Sequence, residues 1–327
     1  MQTFDHIPAS DAREALDQLS QGEKTHVIAG GTDLLPLMKE GLLAPARLVD
    51  LKPARALRYL RFEADGALRM GALTTLADIE RSPEIAARLP ILVQAARDAA
   101  TPQLRALATV GGNLLQRPRC WYFRGQFDCW LKGGAECFAR DGQNQYSAVF
   151  DGGHCVAVHP SDLAPALEAL EALLTLQGPS GARTLPVADF FASPEEHHRV
   201  EHRLRPGELI TEIVVPRQPA GTRGVYLKLM ERQAWAFALA SAAVALTLRE
   251  GQVELARLVL GGVANIPWRT RAAEQALEGQ VLTPELAAQV AERALADAHP
   301  LAHNGYKVRM ARELLRRAIL QAADLPF

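Results

Sequence analysis

Several features that would classify a chain of this length at once are missing from its 327 residues. No GxGxxG occurs anywhere, so the Rossmann route to a dinucleotide is closed, and no lysine follows a glycine loop in the manner of a P-loop. Net charge is only −1, with Lys and Arg spread along the chain, which leaves no basic footprint for nucleic acid or for an anionic membrane surface. The longest apolar runs, such as Trp235–Leu248, fall short of the roughly 20 residues that span a bilayer and read as buried strands. The start MQTFDHIPASDAREALDQLS lacks the basic and apolar regions of an export signal. The cytoplasm is therefore the expected compartment, with periplasmic co-export on a partner's signal as the other route. No tract is of low complexity and no internal repeat is visible. Length and apolar content suffice for two or three domains with a large core.

Cysteine is also scarce, and its placement is informative. All four cysteines, Cys120, Cys129, Cys137 and Cys155, fall in one stretch, together with eight of the nineteen aromatic residues: Trp121, Tyr122, Phe123, Phe127, Trp130, Phe138, Tyr146 and Phe150. No helical or strand period orders them, so the stretch reads as a loop folded around something other than a protein core. Two disulfides would imply an oxidising compartment and a small, loop-rich fold, which this chain does not match. Structural zinc commonly uses close cysteine pairs, whereas the gaps here are 8, 7 and 17 residues. Four thiolates on an irregular loop also suit a [4Fe–4S] cluster, one thiolate per iron, with apolar neighbours limiting water. Spacing alone leaves zinc and iron–sulfur both open.

Along the chain, Ser10 is placed to cap a helix through about Leu19. A strand at His26–Ala29 runs into Gly30-Gly31-Thr32-Asp33, after which Leu34–Lys39 starts a helix that Pro36 confines to its first turn. Arg47–Leu51 reads as a strand. Two apolar runs between Leu57 and Gly71 meet at Asp65-Gly66, a hairpin signal. Ala77–Ala99 has helical spacing broken at Pro83 and Pro90, Leu163–Leu174 is helix or buried strand, and Glu208–Pro216 is a strand. A boundary is expected within Pro216–Gly224. Beyond it come strands at Tyr226–Leu229, Ala236–Leu248 and Val253–Leu260, turning at Glu250-Gly251, then helices at Arg271–Leu277, Pro284–Ala298 and Tyr306–Ala322.

Two turns resemble one another, AGGTD at Ala29–Asp33 and TVGGN at Thr109–Asn113. Adjacent glycines admit positive φ and let successive N–H groups point at one anion such as a pyrophosphate. A side chain at Gly30 would then invade the pyrophosphate's space. Either turn alone is weak and is equally explained as a bland tight turn. Together they suggest a dinucleotide held between two subdomains.

At these residues the chain resembles the FAD-binding subunits of the molybdenum hydroxylases, the xanthine dehydrogenase and aldehyde oxidoreductase family. The resemblance rests on AGGTDLLPLM, ATVGGNLLQ, HPSDLAPAL, GELITEIVVP, YLKLMERQAWAFALASAAVAL and LGGVANIPWR, which follow in that order over essentially the whole length. It implies an α+β fold: a two-subdomain FAD-binding domain of the vanillyl-alcohol-oxidase (PCMH) type over 1–218, with subdomains of about 1–55 and 56–218. A smaller α+β domain over 219–327 follows. By the same resemblance Val27, Ile28, Ala29, Gly30, Gly31, Thr32, Asp33 and Leu34 wrap the pyrophosphate. Thr109, Val110, Gly111, Gly112 and Asn113 contact the pyrophosphate and flavin side, Asp162 the ribityl or adenosine portion, and Ile210 and Lys228 sit at the flavin ring.

Most flavin subunits of the family have no cysteines between the TVGGN turn and the SD motif. Two subgroups that resemble this chain carry an inserted loop there, at 117–156 in this numbering, that binds an extra [4Fe–4S] cluster. One is a three-subunit bacterial aldehyde oxidoreductase and the other 4-hydroxybenzoyl-CoA reductase; RCWYFR and the later HPSD are closer to the first. Cys120, Cys129, Cys137 and Cys155 would be the ligands. The implied partners are a large molybdenum-cofactor subunit, a small subunit with two [2Fe–2S] clusters, and an external electron acceptor or donor.

Each residue also has a plainer reading. Asp162 precedes an apolar run and suits a helix N-cap; Lys228 alternates with Leu227 and Leu229 and suits a solvated strand face. His154 and His159 read as structural neighbours of Cys155, His197, His198 and His202 as an exposed loop, and Trp235 and Phe237 as core. A zinc-stabilised scaffold without redox function is the alternative of another class.

Overall fold

Three sheets, each with its own apolar filling, make up the described residues 1–22, 24–150, 153–195 and 199–326 of the computed structural model. Near the N-terminus, β1 (Asp5–Pro8), β2 (Thr25–Ile28) and β3 (Arg47–Asp50) run parallel in the order β1-β3-β2. Parallel neighbours need crossovers, and helix Ala12–Leu19 supplies the first. Its cap is Asp11, whose carboxylate accepts the Glu14 N–H at 2.8 Å, and not the expected Ser10. Ser10 sits one residue outside and donates its N–H and hydroxyl to Glu14, both at 2.7 Å. Helix Leu34–Lys39 continues past the stop expected at Pro36. Pro36 is in the first turn, where the N–H it lacks would have no partner inside the helix, and its carbonyl accepts from Glu40 at 2.9 Å.

The second sheet is antiparallel, with β4 (Leu60–Phe62), β5 (Leu68–Gly71), β6 (Leu173–Gly178), β7 (Gly181–Pro186) and β8 (Leu209–Val215) in the order β4-β5-β8-β6-β7. The hairpin expected at Asp65-Gly66 forms: Gly66 has φ of +89° and the Asp65 carboxylate accepts from Ala67 at 2.9 Å. Pro83 and Pro90 each start a new helix, Pro83–Arg88 and Pro90–Asp98, behind helix Leu76–Glu80 with its Thr75–Asp78 capping box. The ambiguous run Leu163–Leu174 divides into helix Leu163–Ala169 and the start of β6, with Glu171 at φ +54° between them. These helices close over the sheet and bury Leu76, Ile91, Leu92, Leu163, Leu167 and Ile213 in the main core.

The third sheet, β9 (Arg223–Leu229), β10 (Ala240–Arg249), β11 (Gln252–Gly261) and β12 (Trp268–Arg269), is antiparallel in sequence order. Glu250 and Gly251 both have positive φ, as a tight two-residue hairpin turn requires. Helix Gly305–Ala323 packs on it and shares its core. The strand expected from Ala236 begins only at Ala240. The residues before it leave the sheet, and Trp235 (63% exposed) and Phe237 (45%) are surface residues, contrary to the expectation of core. Between helix Val110–Leu114 and helix Leu163–Ala169, the cysteine loop is irregular apart from the short helices Trp121–Arg124 and Trp130–Lys132.

Candidate functional site

β2 delivers Ala29–Asp33 to the edge of the parallel sheet. Gly31 adopts φ +70°, which a side chain would oppose. Gly30 is required for another reason than the one the sequence suggests: a Cβ there would lie 1.9 Å from the Leu107 carbonyl oxygen. Protein backbone, and not a reserved space for phosphate, fills that position. The same close approach sets the two glycine turns side by side, because Leu107 and Ala108 lead straight into Thr109–Asn113. Thr109 caps helix Val110–Leu114 and accepts the Gly112 N–H at 3.2 Å. A Cβ on Gly112 would meet only its own turn's Thr109 hydroxyl, at 3.0 Å. Gly112 is exposed, and Ala29–Leu34 and Asn113 are half-buried, so one side of each turn is accessible. Val27, Ile28 and Val110 put their side chains into apolar clusters, which leaves only backbone groups to offer a ligand.

Asp33 is engaged by the approach to the cysteine loop. Its carboxylate accepts the Arg117 N–H and an Arg124 N–H, each at 2.8 Å, and is also paired with Arg119. Burial opposes its ionisation, but the two guanidinium charges and the amide prevail and hold its carboxyl below the usual range.

The segment His159–Asp162 is tied to the second glycine turn. The Ser161 hydroxyl donates to Asn113 Oδ1 at 2.6 Å and accepts the Ala164 N–H at 3.0 Å. The His159 ring accepts from Ser161 and bonds the Leu114 backbone, and burial drives its pKa down to about 3, so it is a neutral structural group. Asp162 starts helix Leu163–Ala169 without capping it. Its carboxylate accepts from Tyr226 Oη at 2.7 Å and from Lys228 Nζ at 2.9 Å. Lys228, whose side chain is fully buried, also donates to the Asp98 carbonyl at 2.8 Å. Neither the helix-cap reading of Asp162 nor the solvated-face reading of Lys228 describes them. Ile210 lies on β8 with its side chain in the same core as Tyr226.

The four cysteines, dispersed in sequence, line one small cavity of about 10 Å³ with Tyr122, Phe123, Trp130, Leu131 and Ala157. None is in a disulfide. Burial pushes the Cys120 and Cys155 thiols up, so an ion bound there would displace protons. Among the described residues, no three His, Cys, Asp or Glu side chains converge as a site for a metal ion. The loop is held from outside. Arg199 donates to the carbonyls of Trp130 (2.7 Å) and Gly134 (3.0 Å), and Asn265 Nδ2 to those of Cys155 (3.1 Å) and Ala157 (2.6 Å). His154 stacks on Trp130 and pairs with Glu195 at 2.9 Å, so it is a structural neighbour of the cysteines. Phe150 belongs elsewhere, stacked 4.3 Å from Trp268 in the third core. His202 stacks on Phe190, while His197 and His198 lie outside the described residues.

Beside the cysteines opens a cleft of about 470 Å³, walled by Arg119, Cys120, Trp121, Tyr146, Trp235 and Phe237 among others. Arg119 and Phe237 also line a smaller recess that reaches Ser161 and Asp162. An aromatic cleft with a guanidinium at its rim suits a planar ring system carrying polar edges. Sequence reasoning missed this wall because Ala236–Leu239 read as the start of a strand, and Trp235 and Phe237 as core. It also missed Asn304 and Lys307, which donate to the carbonyls of Tyr146, Ser147, Ala148 and Gly262 and pin the cysteine loop between Cys137 and Cys155. A signal existed for Lys307: it falls on the helix face of Ala311, Leu314 and Ala318, all buried.

Comparison with known proteins adds three findings. A family profile described as FAD binding domain in molybdopterin dehydrogenase matches residues 2–218, and one described as CO dehydrogenase flavoprotein C-terminal domain matches 225–322. The chain is 34% identical to the aldehyde oxidoreductase FAD-binding subunit PaoB of Escherichia coli over 98% of its own length and 99% of that protein's. It is 30% identical to the carbon monoxide dehydrogenase medium chain of Hydrogenophaga pseudoflava over 96% and 94%. Among solved structures, a cyanide-inactivated copper- and molybdenum-containing CO dehydrogenase superposes with a TM-score of 0.78 at 29% identity, covering 99% of this chain and 98% of that one.

Proposed function

Because this chain belongs to the FAD-binding subunits of the molybdenum hydroxylases, we propose that it is the electron-transfer subunit of an aldehyde-oxidising complex, holding FAD and a [4Fe–4S] cluster together. The observation that carries this reading is the meeting of the two glycine turns at Gly30 and Leu107, with the aromatic cleft and the cysteine cavity next to them. In this reading the FAD unit is 1–218, and 219–327 supplies Lys228 and the far wall of the cleft.

The residues present fit a nucleotide. Backbone N–H groups of Ala29–Leu34 and Thr109–Asn113 would hold the pyrophosphate, and Gly112 leaves its side of the turn clear. Arg119 lines the cleft, where its partly exposed guanidinium would face a polar ring edge. Asp162 and Lys228 would sit at the ribityl and ring end, and Ile210 would close the ring from the core. Cys120, Cys129, Cys137 and Cys155 would each hold one iron, in a pocket whose aromatic lining limits water. Bound FAD accepts electrons in pairs and releases them singly, and a cluster carries one at a time. The chain's own part is to bind, orient and shield these groups. Substrate would react at a large molybdenum subunit, with a small [2Fe–2S] subunit connecting it to this chain and an external carrier exchanging electrons here. The full-length likeness to the E. coli subunit supports the aldehyde oxidoreductase assignment over the 4-hydroxybenzoyl-CoA reductase one.

An absorption spectrum of the purified full chain, with flavin, iron, sulfide and zinc analysis, tests the proposal. One FAD and about four irons per chain are expected. A colourless, zinc-containing, flavin-free protein would instead establish the scaffold alternative.

A further inference from the structure

Residues 117–124 serve two sites at once. They form the approach to Cys120, and helix Trp121–Arg124 begins directly from that cysteine, with Phe123 in the cavity wall. Among the described residues they also carry every donor to the Asp33 carboxylate: the Arg117 N–H, Arg119 and Arg124. Arg124 further staples the segment by donating to the carbonyls of Pro118 (2.9 Å) and Arg117 (3.2 Å), and reaches Glu40 at the end of helix Leu34–Lys39 at 3.2 Å. Leu37 of that same helix packs in the small apolar cluster of Cys129 and Cys155. The helix that follows the first glycine turn is therefore gripped at its start, middle and end by the cysteine loop. Arg119 extends the grip to the cleft, where its guanidinium lies 4.9 Å from the centre of the Phe237 ring.

We propose that Arg119 and Arg124 are positioning residues that make FAD affinity depend on whether the four cysteines are ligated. The inference rests on the functional reading above. With Cys120 bound, the backbone at 119–121 is fixed and both guanidinium groups are held on Asp33, which sets the Ala29–Leu34 turn for the nucleotide. With Cys120 free, residues 117–124 keep the Arg117–Glu201 pair, the Gln143 N–H donated to Tyr122 Oη and the edge-on Trp121–Tyr146 contact, but the backbone at 119–121 loses its fixed point and the turn loses part of its preorganisation. Coupling between two sites through one shared element is reciprocal, and commonly changes affinity by about 5- to 150-fold.

A double-mutant cycle on the full chain tests this, with FAD as the titrant followed by fluorescence and with iron determined on the same samples. Cys129→Ser, which removes a ligand that lies outside residues 117–124 and changes its volume little, should weaken FAD about tenfold in the wild-type background. In an Arg119→Met background it should weaken FAD less than twofold, and Arg119→Lys should restore part of the dependence. If circular dichroism shows that Arg119→Met does not fold, Asp33→Asn takes its place in the cycle, since it removes the shared carboxylate almost isosterically. Equal weakening in both backgrounds, or none in the wild type, overturns the coupling alone. A wild-type chain that takes up no flavin or no iron overturns the functional reading and the coupling with it.

Discussion

Lys228→Met is the most direct probe of how the two halves of the chain are joined. Methionine keeps much of the volume of the buried stem and removes the charge. Asp162 would then keep a single donor, Tyr226 Oη at 2.7 Å, and the Asp98 carbonyl would lose its lysine partner. Removing one member of a buried, hydrogen-bonded pair leaves an uncompensated charge and costs about 3–5 kcal/mol. Because Asp162 precedes helix Leu163–Ala169 and Lys228 lies on β9, the loss falls on the contact between the main core and the third sheet. Urea unfolding of the FAD-free chain should show a lower midpoint, with a transition that broadens or splits as the units uncouple. Lys228→Met combined with Asp162→Asn removes both charges, and should recover most of the loss, a coupling of roughly 2 kcal/mol or more. If the single variant costs under about 1 kcal/mol, or the two changes simply add, the pair is not the electrostatic joint described here. FAD titration of the same variants then tests separately whether Lys228 reaches the flavin.

Gly30→Ala should lower stability by about 1–3 kcal/mol or more and abolish FAD binding, because its Cβ would meet the Leu107 carbonyl at 1.9 Å. Gly112→Ala should stay within about 1 kcal/mol of wild type, so a loss of FAD affinity there would mark a ligand-facing position and unchanged affinity would remove it from the site. Cys129→Ser should lower bound iron while flavin still saturates at high FAD; full iron retention would refute the ligand assignment. His159 gives a pH signature. Folded, it stays neutral down to about 3, whereas unfolded it takes up a proton below its ordinary 6.5. Stability should therefore fall as pH drops through that window, by at most about 1.4 kcal/mol per unit. Urea midpoints of His159→Gln between these limits should have a shallower slope, and an identical slope would exclude His159 as the cause.

Much of the fold is legible locally. Asp65-Gly66 and Glu250-Gly251 announce their hairpins, Pro83 and Pro90 their helix starts, and the AGGTD turn its strand-to-helix change, because each is decided by backbone chemistry within a few residues. Misreadings arose where composition imitates a period. Ala236–Leu239 continues an apolar run, yet these residues leave the sheet and wall the cleft. β7 was not foreseen, since GARTLP is short, mostly exposed and closed by proline. In the cysteine loop no period exists to give a phase, so nothing local tells that Phe123 faces the cavity while Phe150 belongs to another core.

From the residues alone came the kind of chemistry: two glycine turns with no Rossmann motif, four cysteines confined to one aromatic loop, and an ordered set of family motifs. Which groups meet was decided by packing. Gly30 against Leu107, Asp33 against Arg119 and Arg124, Asp162 against Lys228, and Lys307 against Ser147 are pairs far apart in the chain. The physical reason is range. A turn or cap is settled by the torsions and hydrogen bonds of neighbouring residues, whereas a buried charge finds its partner only where three separate cores, closing together, leave one polar group within reach of another.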